Sequence, residues 1–142
     1  MGKINWGRVV LCGLVTGGVS MALTAPVFLL ALRETEYVQA LHAARAAAHP
    51  RFEPLLVAAP VNFAAGIWIM WLYAAIRPRY GPGPKTAAVA GLAGWLAVAI
   101  IEVELASLLL LPISLGGLAV PLGVALPAMI VAAVVGAWQY TE

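Results

Sequence analysis

Four long apolar runs constrain this chain more than anything else in it. They lie near residues 9–32, 55–76, 88–111 and 117–139. Each is long enough to cross about 30 Å of hydrocarbon, which takes about 20 helical residues. None alternates with the period of a strand, and an isolated strand leaves its backbone unsatisfied in lipid. Helices are therefore expected. Charged residues make up 10% of the 142 positions, aspartate is absent, and 63% are hydrophobic, whereas a soluble domain carries about 25% charged residues. The predicted fold is all-α: a polytopic membrane four-helix bundle, one transmembrane domain over residues 1–142.

The first run is too long for a cleaved signal peptide, and Pro26 follows its nearest cleavage-like site, Ala22-Leu23-Thr24-Ala25. It is read as a true span with a kink at Pro26. Cys12 is the single cysteine, so no internal disulfide forms, and a buried, inert thiol is expected.

Lys3 and Arg8 flank the first span, and Arg77, Arg79 and Lys85 crowd the link between the second and third. The link after the third span, Pro112 to Gly116, is uncharged. The positive-inside rule then predicts that both termini and the 77–85 link lie in the cytoplasm. Trp6, Trp71, Tyr73, Tyr80, Trp138 and Tyr140 fall at the same predicted interface, as an aromatic belt would. Topology alone explains the net charge of +2, and no nucleic-acid partner is implied.

The outer connection, Glu34 to Ala48, is alanine-rich and lacks glycine and proline. Tyr37, Val38, Leu41 and Ala44 share a face, which predicts a short helix on the outer surface or an extension of the first span. His49-Pro50 closes it, because the residue before proline is pushed out of the helical region.

The chain also reads as two parallel-repeat helical hairpins. A shift of 78 residues brings Gly13-Leu14 onto Gly91-Leu92 and Thr24 onto Glu102. A shift of 67 brings Pro60 onto Pro127, Trp71 onto Trp138 and Tyr73 onto Tyr140.

Membrane helices pack through small residues and modest interhelical hydrogen bonds. Gly13-x-x-x-Gly17, Ala87-x-x-x-Gly91, Ala90-x-x-x-Gly94 and Ala128-x-x-x-Ala132-x-x-x-Gly136 supply them. Thr16, Ser20 and Thr24 recur every fourth residue and form one stripe. Two readings stay open for that stripe: hydroxyls bonded to their own helix carbonyls, or, with Asn62, the lining of a polar cavity.

Glu102 and Glu104 stand inside the third span, where a carboxylate costs a few kcal/mol or more unless paired, protonated or functional. They point about 200° apart on a helix and cannot share a site. Glu102 falls with Gly91, Trp95 and Ala106, whereas Glu104 falls with Ile100, Ile101, Leu108 and Leu111. Glu104 is about 12 Å along the helix from Pro112, too far for a short side chain to snorkel fully. Three readings follow. Both glutamates are neutral structural groups, with Glu102 bonded to Thr24, Ser20 or Asn62. Alternatively, Glu104 marks contact with another subunit. In the third, Glu102 is a proton or cation site in a transport path.

The spans carry no His, Cys or Asp cluster, so no haem or metal ligand set is expected there. No catalytic constellation accompanies the diverging carboxylates, and no cofactor is implied. His42 and His49 on the outer helix read as interfacial. The run Arg77-Pro78-Arg79-Tyr80-Gly81-Pro82-Gly83-Pro84-Lys85 is no phosphate cradle, because its prolines remove backbone donors. It reads as a stiff turn whose rim, Arg77, Arg79 and Lys85, holds anionic lipid headgroups.

The segment Trp71-Leu72-Tyr73-Ala74-Ala75-Ile76-Arg77-Pro78-Arg79-Tyr80-Gly81-Pro82-Gly83-Pro84-Lys85-Thr86 resembles a signature of small bacterial four-span membrane proteins of unassigned function. The resemblance covers about 16 residues. It implies the four-helix fold and the link position, and no activity. Small multidrug transporters also join four spans with a membrane glutamate, but theirs lies in the first span, where this chain has Thr24 and Pro26; no kinship is drawn.

The sequence favours a non-enzymatic membrane protein, an accessory or structural subunit of a larger membrane complex. Membrane lipids, other subunits or further copies of itself are its expected partners. The alternative is a small proton-coupled transporter or ion pathway using Glu102, lined by Thr16, Ser20, Thr24 and Asn62.

Overall fold

A computed structural model describes residues 4–48, 54–108 and 114–140. The described residues form five helices: α1 (Trp6–Leu30), α2 (Glu36–Ala48), α3 (Pro54–Tyr80), α4 (Pro84–Leu108) and α5 (Leu115–Trp138). Four of them are long and apolar enough to cross a membrane, and α2 is the short one. The chain is a multi-pass membrane protein of all-α architecture. With four spans, the start of α1 and the end of α5 lie on one side, and α2 with the start of α5 lies on the other.

Helix boundaries follow local chemistry. The Asn5 side chain accepts a hydrogen bond from the Arg8 amide at 3.1 Å and caps α1. Ser114 caps α5 by accepting from the Gly117 amide at 3.0 Å. A tight turn at residues 31–35 separates α1 from α2, so α2 is a distinct helix and not an extension of the first span. Its start is held by Thr35, whose hydroxyl donates to the Leu32 carbonyl at 2.6 Å. His49 and Pro50 lie outside the described residues.

The basic link departs from the sequence reading. Helix α3 continues through Arg77, Pro78 and Arg79 to Tyr80, so the stiff turn shrinks to Gly81-Pro82-Gly83. Proline inside a membrane helix is tolerated because neighbours resatisfy the freed backbone group, and Pro26, Pro60, Pro121 and Pro127 are likewise helical. Gly81 ends the helix with φ +82°, and its amide donates to the Arg77 carbonyl at 2.8 Å. Only glycine takes that conformation without strain. Pro84 then opens α4, where a missing amide costs nothing.

Small residues make the interior. A side chain at Gly66 would run into the backbone of Gly13 and Gly17, and one at Gly13 into Ile67, so α1 and α3 cross backbone against backbone. At α4–α5, Gly91 meets Ala133. Leu14, Leu23, Leu92, Leu96, Ile100, Ile101 and Val131 point outward, which suits a lipid solvent.

The contacts obey the repeat's offsets. The crossing of Gly13 with Gly66 becomes that of Gly91 with Ala133 under the shifts of 78 and 67. On the other two sides of the bundle, Thr16 fills the space at Gly136 and Ile69 fills the space at Gly94; the same shifts interchange them. Tyr73 and Tyr140 are equivalent positions and meet edge to face, with ring centroids 5.9 Å apart. The two hairpins thus use one contact scheme, with the equivalent positions Tyr73 and Tyr140 in contact with each other.

The tyrosine pair corrects the aromatic belt. Trp6, Trp71, Tyr80 and Trp138 are exposed, but Tyr73 and Tyr140 are buried. Tyr73 Oη accepts from the Gly83 amide at 3.4 Å and the Arg77 guanidinium lies over the Tyr140 ring at 5.5 Å. A cation over a π face is attractive. Arg77 is thus turned partly inward, whereas Arg79 and Lys85 are exposed, so only these two are left as an outward cationic rim.

Candidate functional site

The α2-side half of the bundle encloses a partly open cavity of about 330 Å³. This is near the lower end of small-molecule sites, about 300–1,000 Å³. Ser20 and Thr24 reach it from α1, Asn62 from α3 and Glu102 from α4. Phe28, Ala65, Val98 and Met129 supply apolar wall, and Tyr37, Val38 and His42 of α2 cover it. Arg33 stands at the rim, exposed and paired with Glu34 at 3.2 Å.

Each polar group arrives there for a local reason. Ser20 and Thr24 are four apart on α1 and so share a face. The Thr24 hydroxyl donates to the Ser20 carbonyl at 2.9 Å, which fixes the rotamer and leaves its lone pairs as acceptors. Glu102 is half-buried, and among the described residues none donates a hydrogen bond to it. The expected bond from Thr24 is not made, because the helix carbonyl takes that proton first.

Thr16 is the correction to the polar seam. It belongs to the same stripe, but its hydroxyl donates to the Cys12 carbonyl at 2.9 Å and packs against Gly136. It is buried among helices and does not line the cavity. The stripe serves two purposes: helix contact at Thr16, cavity wall at Ser20 and Thr24. Cys12 is fully buried beside it.

The repeat's offsets pair residues that line the cavity. Ser20 is equivalent to Val98, Thr24 to Glu102 and Asn62 to Met129, and all six line it. Each polar group on the first hairpin therefore lines the same cavity as its counterpart on the second. A carboxylate appears on one side only.

Helix α2 is held over the cavity by a tether. The Ser114 hydroxyl donates to Glu36 Oε2 at 2.8 Å while accepting from α5. One side chain joins the start of α5 to the start of α2. Sequence reasoning missed Arg33, Tyr37 and His42 as lining residues. The available signal was the spacing of Val38 and His42, four apart on one helical face.

Glu104 faces away from the cavity and is exposed beside Ile100 and Ile101. Among the described residues, no three His, Cys, Asp or Glu side chains converge as metal ligands. No family model, curated protein or solved structure matches this chain.

Proposed function

We propose that this chain is a non-enzymatic integral membrane protein that binds a small solute within the bilayer and moves it in exchange for a proton at Glu102. The observation that carries the proposal is the convergence of Ser20, Thr24, Asn62 and Glu102, from three spans, on one cavity. An ionised carboxylate in apolar surroundings needs a partner. A proton and a cation are alternative partners for the same group, which is the chemistry intramembrane carboxylates serve in transporters. The basic link and the exposed tryptophans support cytoplasmic termini in a bacterial inner membrane, with α2 outside. Arg79 and Lys85 then meet anionic lipid headgroups.

The test is proton flux in proteoliposomes under an imposed pH gradient. Added solute is expected to dissipate the gradient through the wild-type protein and not through Glu102→Gln. Equal dissipation by both overturns the role of Glu102.

A second reading, an accessory subunit of a larger complex, is favoured by Glu104 exposed among Ile100 and Ile101. The intact mass after extraction in mild detergent tests it. Foreign subunits bound to the chain support that reading, and cross-linking from position 104 that captures only lipid counts against it.

A further inference from the structure

From the acceptors Thr24 and Glu102 and the apolar wall beside them, we infer that the cavity's ligand is a single protonated primary or secondary amine with a compact apolar body. The inference rests on the cavity being a solute site, as proposed above, and adds the ligand's chemistry.

Three observations lead there. First, the groups at the α1–α4 side of the cavity accept hydrogen bonds. The Thr24 proton is committed to the Ser20 carbonyl at 2.9 Å, so its lone pairs face outward from that bond. Glu102 lines the same cavity, and its carboxylate is acceptor-only when ionised. A ligand that brings N–H donors satisfies both; a quaternary ammonium brings charge without donors. Charge-assisted hydrogen bonds are roughly twice as strong as neutral ones, so the loss of N–H groups is costly even where charge is kept.

Second, the site holds one carboxylate. Glu102 is the one acidic residue among the lining residues, and the position equivalent to it, Thr24, is uncharged, so the negative charge to be neutralised is single. A dication would leave one charge without a partner in a low-dielectric wall. The cationic group at this end, Arg33, stands at the outer rim, held by Glu34 at 3.2 Å. Its charge disfavours a second positive group near the mouth.

Third, the wall is apolar and small. Phe28, Ala65, Val98 and Met129 face the polar end, and about 330 Å³ admits one ring or one branched aliphatic body. Methionine adapts to either shape.

The experiment is isothermal titration of the full-length protein in lipid nanodiscs. The probes are 2-phenylethylamine, cyclohexylmethylamine and 1-adamantylamine, each beside its N-trimethyl analogue and the matching alcohol. At least one amine is expected to bind with one-to-one stoichiometry. Its trimethyl analogue and alcohol are expected to bind at least ten-fold more weakly. Glu102→Gln should weaken the amine at least ten-fold, and Thr24→Val, which keeps shape and removes the acceptor, about three-fold. Thermal unfolding of both variants confirms that they remain folded.

Failure of every amine to bind the wild-type protein overturns the inference. So does equal binding of an amine and its trimethyl analogue, or amine binding that survives Glu102→Gln. The two proposals separate cleanly. Amine binding without Glu102-dependent proton flux defeats transport and leaves this inference standing. Glu102-dependent proton flux without amine binding does the reverse.

Discussion

The two ends of this bundle are built from the same helices to opposite effect. At the termini side, glycine sits wherever a helix must approach: Gly13 and Gly66 on one side, Gly136 under Thr16 and Gly94 under Ile69 on the others. The buried tyrosine pair and Arg77 close that end. Toward α2 the same spans carry Asn62, Thr24 and Glu102, and the helices enclose a cavity. In lipid no hydrophobic force drives helices together. Close packing exists where backbones can touch, and space remains where they cannot. The difference between the ends is thus written in side-chain volume along four otherwise similar helices.

The largest predicted effect breaks the tight end. Gly66→Leu places four carbons where the Gly13 and Gly17 backbone already stands. A loss of about 3 kcal/mol or more is expected, the upper range for overpacking, measured by reversible denaturation in mixed micelles. Gly123→Leu is the control, because nothing stands within 4 Å of that position. It should change stability by less than about 0.5 kcal/mol, the range of neutral surface changes.

Next comes the tyrosine pair. Tyr140→Ala removes both the edge-to-face contact and the surface under Arg77. It should cost about 2 kcal/mol, less than the aqueous range for large aromatic deletions because lipid replaces water. Tyr140→Phe keeps the ring and should stay within about 0.5 kcal/mol. An equal loss in both variants would assign the role to the hydroxyl instead.

At the other end, Ser114→Ala removes a cap and the Glu36 tether together. About 1 kcal/mol is expected for the cap, and amide exchange in α2 should accelerate while the spans are unaffected. Unchanged exchange in α2 would show that the tether does not hold it. The smallest effect on stability is at Glu102. Glu102→Gln is expected to shift unfolding by less than about 0.5 kcal/mol, because among the described residues no hydrogen bond to it is lost. It should weaken solute binding at least ten-fold all the same. A large stability change would make Glu102 a structural group.

Much of this was legible in the sequence, for physical reasons. Span number and small-residue contacts follow from hydrocarbon thickness and close packing, which act locally along the chain. The hydroxyl stripe and Asn62 were visible as a possible seam, and Ser20, Thr24, Asn62 and Glu102 do line one cavity. What one helix cannot reveal is where its neighbours stand. Thr16 has the same residue type and spacing as Thr24, yet Gly136 fills its space with a packed backbone. Tyr73 and Tyr140 read as interfacial because tyrosine often is, but their partners are each other. The helix through Pro78 was missed because proline's helix-breaking cost is an aqueous expectation, and in lipid the helix is the default.

Those two threonines give the most direct test of the central claim, that the cavity in the α2-side half is accessible to a ligand at Thr24 whereas Thr16 is packed against Gly136. Cys12 is the single cysteine and is buried, so Cys12→Ser supplies a thiol-free background. In it, Thr16→Cys and Thr24→Cys are compared for reaction with N-ethylmaleimide in membranes. Rapid modification at position 24, slowed by a bound amine, with position 16 unreactive, is the predicted result. Equal reactivity at the two positions, or none at position 24, would contradict it.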